Sequence, residues 1–434
     1  MKKLLGILFA LLIFAAPLAM NAEIEATAGS MKIGVHMDFT YRWSGESNKD
    51  PESDEIGWKG YDTFSAGDLF IEVTGKVGDR ISYKILEGLV YADWVPDIDS
   101  ESANGLILSM MPEPMTTYGG LFVAPIEAYV DFKVIDQFKA RFGKFIVPTL
   151  IANTGVHQAD VIHTANPPLI ANRGMGFNEF LVDYFMGFFP KVSLPLDVTG
   201  AGLIGTPLDG LQVEFFVYDE WVNGEDYPDD GGLDVWTQDL GFDYNRTKGW
   251  DLAATYNRDI LGGKLTARGF YFSEYLDWNN ISYLPTTNGR NNGWGIGAMY
   301  DHNLWFVGAE YTADTLSYAE KPEAIDKKSN TWNGYYILVG GRFMGGTIQP
   351  VYRFDWIDYS SLKKDDILTI SIPEITSFDN EMWHTIGVNW LVNDNATVGI
   401  NYVIKQPERL KFDGDRWKYP NINEIIVMME LDLL

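Results

Sequence analysis

Residues 31–43, MKIGVHMDFTYRW, alternate apolar side chains with polar ones or glycine without a break. A period of two over this length predicts a β-strand with one apolar face and one polar face. In a soluble sandwich the apolar face would meet a second sheet, whereas in a membrane barrel it would meet lipid and the polar face would line the lumen. One strand leaves both architectures open, so the connections between strands have to decide.

The connections between predicted strands alternate in length along the chain. Short ones include 77–80 and 392–395, whereas long polar ones include 95–118 and 222–248. Outer-membrane barrels have short periplasmic turns and long external loops, and a soluble sandwich has no reason to place its long loops on one side. We therefore predict an all-β fold, a transmembrane antiparallel β-barrel of about 16 strands with short periplasmic turns and long extracellular loops. The predicted strands are 31–43, 64–77, 80–94, 119–134, 138–147, 176–188, 209–221, 249–259, 263–276, 293–301, 303–315, 331–343, 346–359, 381–392, 395–405 and 423–433.

Three further stretches test this arrangement. Residues 44–63 are expected to form the first long loop. Residues 190–208, PKVSLPLDVTGAGLIGTPL, stand where a short turn is expected but are too long for one, so they form an extended turn or hide additional strands. Residues 424–434 are amphipathic and are expected to close the barrel on the first strand, because lipid cannot satisfy open sheet edges.

The N-terminus has the features of a secretory signal peptide. Lys2 and Lys3 precede an apolar run over 4–14, and small residues follow it. That run is short for a membrane span of about 20 residues, so export with cleavage is expected. We predict a signal peptide over residues 1–22 and an outer-membrane barrel over residues 23–434.

Composition narrows the function classes. The chain has 60 acidic and 33 basic residues, a net charge of −27, and no cysteine. The acidic excess argues against a nucleic-acid partner, which requires basic patches. The sequence lacks G-x-S-x-G, Walker A, H-E-x-x-H and dinucleotide-binding motifs in their required contexts, so we expect neither an enzyme nor a cofactor.

Residues 148–175, PTLIANTGVHQADVIHTANPPLIANRGM, contain three prolines and no strand alternation, although strands are predicted on both sides. A long apolar insertion between strands is usually functional. We predict that it folds into the lumen and narrows the pore, with His157, Asp160, His163 and Arg173 facing the opening. The two histidines and the aspartate also have the residue types of metal ligands, but no regular element fixes their geometry, and no metal site is expected.

Polar positions on the inner face of the alternating strands are expected to line the pore. Both signs of charge occur there, and charged rings at a constriction set the selectivity of a pore. The simpler alternative is that these side chains only form salt bridges with one another. The predicted lining residues are Lys32, His36, Asp38, Arg42, Lys84, Arg141, Arg353 and Asp355.

Residues 141–148, RFGKFIVP, resemble the strand of the phosphate-selective porin O and P type family that leads through a Gly-aromatic segment and a proline into an inward loop. Residues 172–177, NRGMGF, and 211–218, LQVEFFVY, are similar to the next strands of that family. The resemblance implies a Gram-negative outer-membrane porin and a homotrimer. The chain departs from the pattern in ending with Leu433-Leu434 rather than an aromatic residue. Its scarce arginine and abundant acid also mean that phosphate selectivity is not carried over.

The sequence therefore predicts an exported porin in outer-membrane lipid, with a water-filled channel for passive diffusion of small hydrophilic solutes or ions. A first alternative is a substrate-specific channel for an oligosaccharide or for an organic or phosphate anion. A second is a non-conducting barrel that acts as an adhesin, which a plugged lumen would favour. The first alternative would be favoured by aromatic side chains along the lumen, for which the candidates are Tyr129, Phe145, Phe216 and Trp383.

Overall fold

The structure is a computed structural model. It describes residues 22–26, 29–49, 56–65, 69–92, 120–147, 197–219, 248–276, 289–318, 329–358, 375–377, 380–393, 395–406, 411–412, 415–416 and 422–433. Within these residues, no helix is long and apolar enough to cross a membrane.

The described residues form β-strands joined by turns, with one 3₁₀ turn at Met344–Gly346. Three short strands, at Ile375–Ser377, Lys411–Phe412 and Asp415–Arg416, make a small separate sheet, and the others belong to one large sheet. The strands are β1 Ala22–Ala26, β2 Gly29–Lys49, β3 Ile56–Ser65, β4 Leu69–Val77, β5 Ile81–Ala92, β6 Gly120–Ile135, β7 Phe138–Ile146, β8 Asp197–Leu208, β9 Leu211–Asp219, β10 Lys248–Ile260, β11 Gly263–Leu276, β12 Gly289–His302, β13 Trp305–Tyr318, β14 Ser329–Gly341, β15 Ile348–Asp358, β16 Ile375–Ser377, β17 Glu381–Asn393, β18 Ala396–Gln406, β19 Lys411–Phe412, β20 Asp415–Arg416 and β21 Ile422–Leu433.

The large sheet closes on itself. Antiparallel pairs run from β2 in chain order to β15, then through β17 to β18. The last strand, β21, pairs with β18 on one side and with β2 on the other. Since β3 and β4 lie one after the other along the same edge of β2, they fill one position, and the described strands form a ring of sixteen positions. The predicted antiparallel fold of about 16 strands and its closure by the C-terminal strand are confirmed.

The short connections share one end of the ring, because connections between successive antiparallel strands alternate between the two ends and the short ones are every second connection. The connection between β10 and β11 shows how the sequence builds them. Leu261 and Gly262 have φ angles of 50° and 80°. Left-handed backbone at both central positions is what a two-residue type I′ hairpin requires, and its twist matches that of the strands. The hydroxyl of Tyr300 lies 3.0 and 3.1 Å from the carbonyl oxygens of Ile260 and Leu261 and donates to them.

The sixth position of the ring corrects one prediction. β7 pairs directly with β8, and β8 pairs with β9, so residues 176–188 do not supply the sixth strand. Those residues lie outside the described part of the chain. The sixth strand comes instead from the stretch 190–208. Its alternation is hidden because Gly200 and Gly202 face the side chains of Tyr218 and Phe216 on β9, which fill the space that larger β8 side chains would occupy.

The first long loop is also shorter than predicted. Residues 44–49 continue β2 and pair with the first residues of β3, so most of the stretch 44–63 is a β-hairpin. Aromatic residues such as Trp58 and Tyr61 favour strands, which explains the extension.

Burial is inverted relative to a soluble protein. On β18, Ile400 is 53 % exposed, and its neighbour Asn401 is fully buried. The same alternation recurs on β17, where Ile386 is exposed and Thr385 is buried. Large apolar side chains therefore cover the outside of the ring and polar side chains its inside, as expected where the solvent is lipid.

Candidate pore wall

Lys84 on β5 lies between two carboxylates on the neighbouring strands. Its Nζ is 2.7 Å from Oε2 of Glu127 on β6 and 3.1 Å from Oε2 of Glu72 on β4. All three residues alternate with outward-facing apolar residues, so they face the inside of the ring. One cation between two anions leaves this part of the wall with a net negative charge.

Arg141 on β7 makes a bidentate pair with Asp131 on β6. Its Nε and Nη2 lie 2.7 and 3.0 Å from the two carboxylate oxygens, and Nζ of Lys139 is 2.5 Å from the same carboxylate. The guanidinium also lies over the ring of Tyr129, at 3.7 Å from its centroid. The carboxylate and the ring together fix the orientation of the arginine.

A third pair joins β11 to β9. Nη2 of Arg268 is 3.0 Å from Oε2 of Glu214, and its Nη1 donates to Oγ1 of Thr255 at 2.8 Å. Gln212 donates to the other oxygen of Glu214 at 2.6 Å. Each charge in this pair is buried and has a hydrogen-bonded partner.

The fourth group contains two predicted lining residues. Nε of Arg353 donates to both oxygens of Asp355 at 2.9 and 3.0 Å, and neither side chain is exposed. The guanidinium lies 3.9 Å from the ring centroid of Tyr336, whose hydroxyl donates to Oε2 of Glu310 at 2.5 Å. Lys84, Arg141 and Arg353 are thus each paired with carboxylates of the wall. This arrangement agrees with the simpler alternative, in which the predicted lining residues form salt bridges with one another.

The remaining predicted residues are less completely placed. Lys32 is exposed on β2. The backbone of His36, Asp38 and Arg42 continues along the same strand, but their side chains lie outside the described part of the chain. His157, Asp160, His163 and Arg173 lie outside it entirely, so their predicted role in a constriction stays a prediction. Among the described residues, no three acidic or histidine side chains come together to hold a metal.

Acid predominates among the charges buried in the described part of the wall. Eight buried side chains are acidic and two are basic. Partly buried cations offset some of this acid, since Glu127 is paired with Lys84 and Asp131 with Lys139 and Arg141. The acidic members are Glu127, Asp131, Glu214, Asp251, Glu310, Asp314, Asp355 and Glu424, and the basic ones are Arg268 and Arg353.

Two of these acids, Asp251 on β10 and Asp314 on β13, were not among the predicted lining residues. Both are fully buried, and neither carboxylate has a hydrogen-bond partner among the described residues. Both occupy inward positions in their strands, so strand parity was the signal that could have found them. Their lack of hydrogen-bond partners depends on which residues of the neighbouring strands lie opposite them, which the sequence does not reveal.

These two carboxylates lie at the same level of the wall. Asp251 is opposite Phe272 on β11, Phe272 is opposite Gly293 on β12, and Gly293 is opposite Asp314. Strands are spaced about 4.8 Å apart, so three spacings separate the two acids. An aromatic ring therefore lies between them.

Apolar and aromatic side chains also occur on the inner face. Phe145 and Phe216 are fully buried with their ring centroids 4.7 Å apart, and Tyr129 packs against their cluster. Trp383 belongs to a separate cluster with Val403. Three of the four aromatic candidates for a path along the lumen therefore come together, and the fourth lies apart.

Comparison with known proteins supports the fold. No family model and no curated protein matches the sequence. Among solved structures, the chain is similar to the anion-selective porin from Comamonas acidovorans, with a TM-score of 0.54 and 9% identity over 93% of this chain and 99% of that one. It is also similar to OmpF of Salmonella typhi in complex with daunomycin, with a TM-score of 0.54 and 11% identity over 95% and 100% of the two chains. A third similar structure is the outer-membrane channel DcaP of Acinetobacter baumannii, with a TM-score of 0.52 and 11% identity over 95% and 99%. At this identity the likeness establishes one thing, that the chain has the β-barrel fold of outer-membrane porins.

Proposed function

We propose that the protein is a Gram-negative outer-membrane porin, whose water-filled channel lets small hydrophilic solutes or ions diffuse passively. The observation that carries the proposal is the combination of a closed sixteen-position ring with inverted burial. Apolar side chains such as Ile296 and Ile400 face outward, and paired charges such as Arg353 and Asp355 face inward. A barrel of this strand number encloses an aqueous channel when its lumen is polar.

The proposal also covers the export of the protein, its location in the membrane and its assembly. Residues 1–22 direct export, residues 23–434 insert into outer-membrane lipid, and three copies assemble, as the resemblance to the phosphate-selective porin O and P type family implies. The residues that carry the resemblance include 141–148 and 211–218, which overlap β7 and β9. No catalytic step and no cofactor is part of the proposal.

The segment that follows β7 is proposed to narrow the channel. β7 ends at Ile146 and its neighbour β8 begins at Asp197, so the connection leaves and rejoins the wall at adjacent strands. A connection of this length is far longer than its neighbouring end points require. The predicted constriction over 148–175 falls within it, with His157, Asp160, His163 and Arg173 as the candidates.

A second candidate, a substrate-specific channel, is favoured by one observation. Tyr129, Phe145 and Phe216 form an aromatic patch on the inner face of β6, β7 and β9. Phe145 and Phe216 are fully buried, so the partly buried Tyr129 is the ring of this cluster that a sugar or an organic solute would contact. Competition of a solute with ion current would distinguish this channel from a general porin.

The test of the proposed function is single-channel conductance. The folded protein is added to a planar lipid bilayer in KCl, and the zero-current potential is measured across a KCl gradient. We expect steady conductance steps. Absence of conductance from correctly folded protein would contradict the porin proposal and favour the non-conducting adhesin.

A further inference from the structure

The inner face of β12 lacks side chains at the level of the two unpaired carboxylates. Gly293 and Gly295 occupy successive inward positions there, and a Cβ at either one would overlap the ring of Phe272 or Phe270 on β11. The two rings therefore lie against the backbone of β12. Their centroids are 6.4 Å apart and their planes differ by 10°, so they form a flat aromatic stack along the wall.

Unpaired acidic and hydroxyl groups flank this stack. Asp251 lies on β10 beside Phe272, and Asp314 lies on β13 beside Gly293. One row below, Oγ1 of Thr312 is buried and also has no hydrogen-bond partner among the described residues. The acids elsewhere in the wall, for example Asp131 and Asp355, are paired with arginine. The sector from β10 to β13 is thus distinguished by buried carboxyl and hydroxyl groups that make no hydrogen bond to any described side chain.

A buried carboxyl group without a partner is costly as an anion, and either a proton or a bound cation removes that cost. An aromatic ring next to a carboxylate attracts an organic cation further, through cation–π interaction and through packing on its hydrocarbon part. Both features together match an organic ammonium ion, whose N–H groups donate to carboxylates and whose carbon skeleton packs on rings. The excess of acid among the buried wall charges acts in the same direction.

We propose that Asp251, Asp314 and the stack of Phe270 and Phe272 form a subsite of the pore wall for organic ammonium ions, and that this sector makes the channel prefer cations. The inference rests on the proposed function, because the solute reaches the subsite from the lumen. Neither carboxylate is exposed in the structure. The ring of Phe272 and the carboxyl of Asp314 fill the space at Gly293, so an ammonium ion that binds there has to displace the ring.

The first experiment measures block of the channel current by 2-phenylethylammonium chloride, together with the K⁺ to Cl⁻ permeability ratio. We expect cation preference, and block at lower concentration than by the neutral analogue 2-phenylethanol. The double variant Asp251→Asn/Asp314→Asn should weaken the block about tenfold, the size expected for loss of a charge-assisted hydrogen bond, and lower the permeability ratio. The matched control is Asp79→Asn/Asp136→Asn, which removes two exposed carboxylates in short turns and should leave both readings unchanged.

A second measurement separates this inference from the porin proposal. Calorimetric titration of 2-phenylethylammonium into the folded barrel in detergent needs no conductance. Binding by a barrel that does not conduct would uphold the subsite and contradict the porin function. Conductance with equal block of the double variant and the unaltered protein would overturn the subsite and leave the porin function standing. If the double variant does not fold, Phe272→Leu removes the ring but keeps both carboxylates, and unchanged block in that variant would also overturn the proposal.

Discussion

Among single residues, Arg353 shows what the wall requires of a buried charge. Its guanidinium neutralises Asp355, and neither side chain is exposed. Arg353→Met leaves the carboxylate buried without its partner, which should lower the free energy of unfolding by about 3–5 kcal/mol. Guanidinium titration of the protein folded in phospholipid vesicles would measure the loss. The double variant Arg353→Met/Asp355→Leu should recover most of it, and a double variant no more stable than the single one would contradict this account.

Gly293 provides a second test at the same scale. Its missing side chain makes room for the ring of Phe272 and for Asp314, and a Cβ there would overlap both. Gly293→Ala should therefore cost about 1–3 kcal/mol of folding free energy, as overpacking does. The matched control is Gly269→Ala on the neighbouring strand, where the new Cβ would have its nearest neighbour at 3.7 Å. Equal stability of the two variants in the same titration would rule out close packing at Gly293.

Strand parity allowed the face of each residue to be predicted, but not its partner. The structure places Lys84, Arg141, Arg353 and Asp355 on the inner face, where alternation put them. Their partners depend on the register between strands, which a single sequence does not reveal. The lack of a hydrogen-bond partner for Asp251 also depends on this register, so it could not be predicted from the sequence. Whether the predicted residues line a conducting pore is a question for the conductance experiment.

Among the structural elements, the hairpin that joins β10 to β11 carries a defined strain. Leu261 adopts φ of 50°, a left-handed conformation that costs roughly 1–2 kcal/mol for a residue other than glycine. Asparagine tolerates this conformation, and Asn-Gly is a preferred type I′ pair. Leu261→Asn should therefore raise the free energy of unfolding by about 1 kcal/mol. Leu304→Asn, in the next short turn and without a positive φ angle, is the control and should show no such gain.

Strands with regular alternation were located from the sequence, and β8 was not. Residues 176–188 contain many aromatic and apolar residues, a composition that predicts a strand at the sixth position. β8 is rich in glycine, and its inner face is completed by rings from β9, including Phe216. Its identity as a strand depends on contacts with that neighbour. Such contacts are tertiary, so local pattern and β-propensity are weak guides to it.

In the whole molecule, the alternation of short and long connections predicted the barrel, and the closed ring of pairs confirms it. Solute selectivity could not be predicted in the same way. It depends on the balance between paired and unpaired charges on the inner face, which requires the register of every neighbouring pair. The excess of acidic over basic residues in the sequence shows that the total charge is negative, but not where the charges lie.

The inverted burial can be tested with one substitution on the outer face of the barrel, because its cost differs between lipid and water. Ile296 lies in the middle of β12, faces outward and is 62 % exposed. In a lipid bilayer Ile296→Arg places a charge in hydrocarbon and should cost about 2–4 kcal/mol of folding free energy. The control Leu304→Arg makes a similar change at a turn tip that is 66 % exposed, and should cost little because the turn lies beyond the hydrocarbon. Urea titration of folding into phospholipid vesicles compares the two. Equal stability would place Ile296 in water and contradict a membrane barrel, since a water-exposed isoleucine accepts arginine at almost no cost.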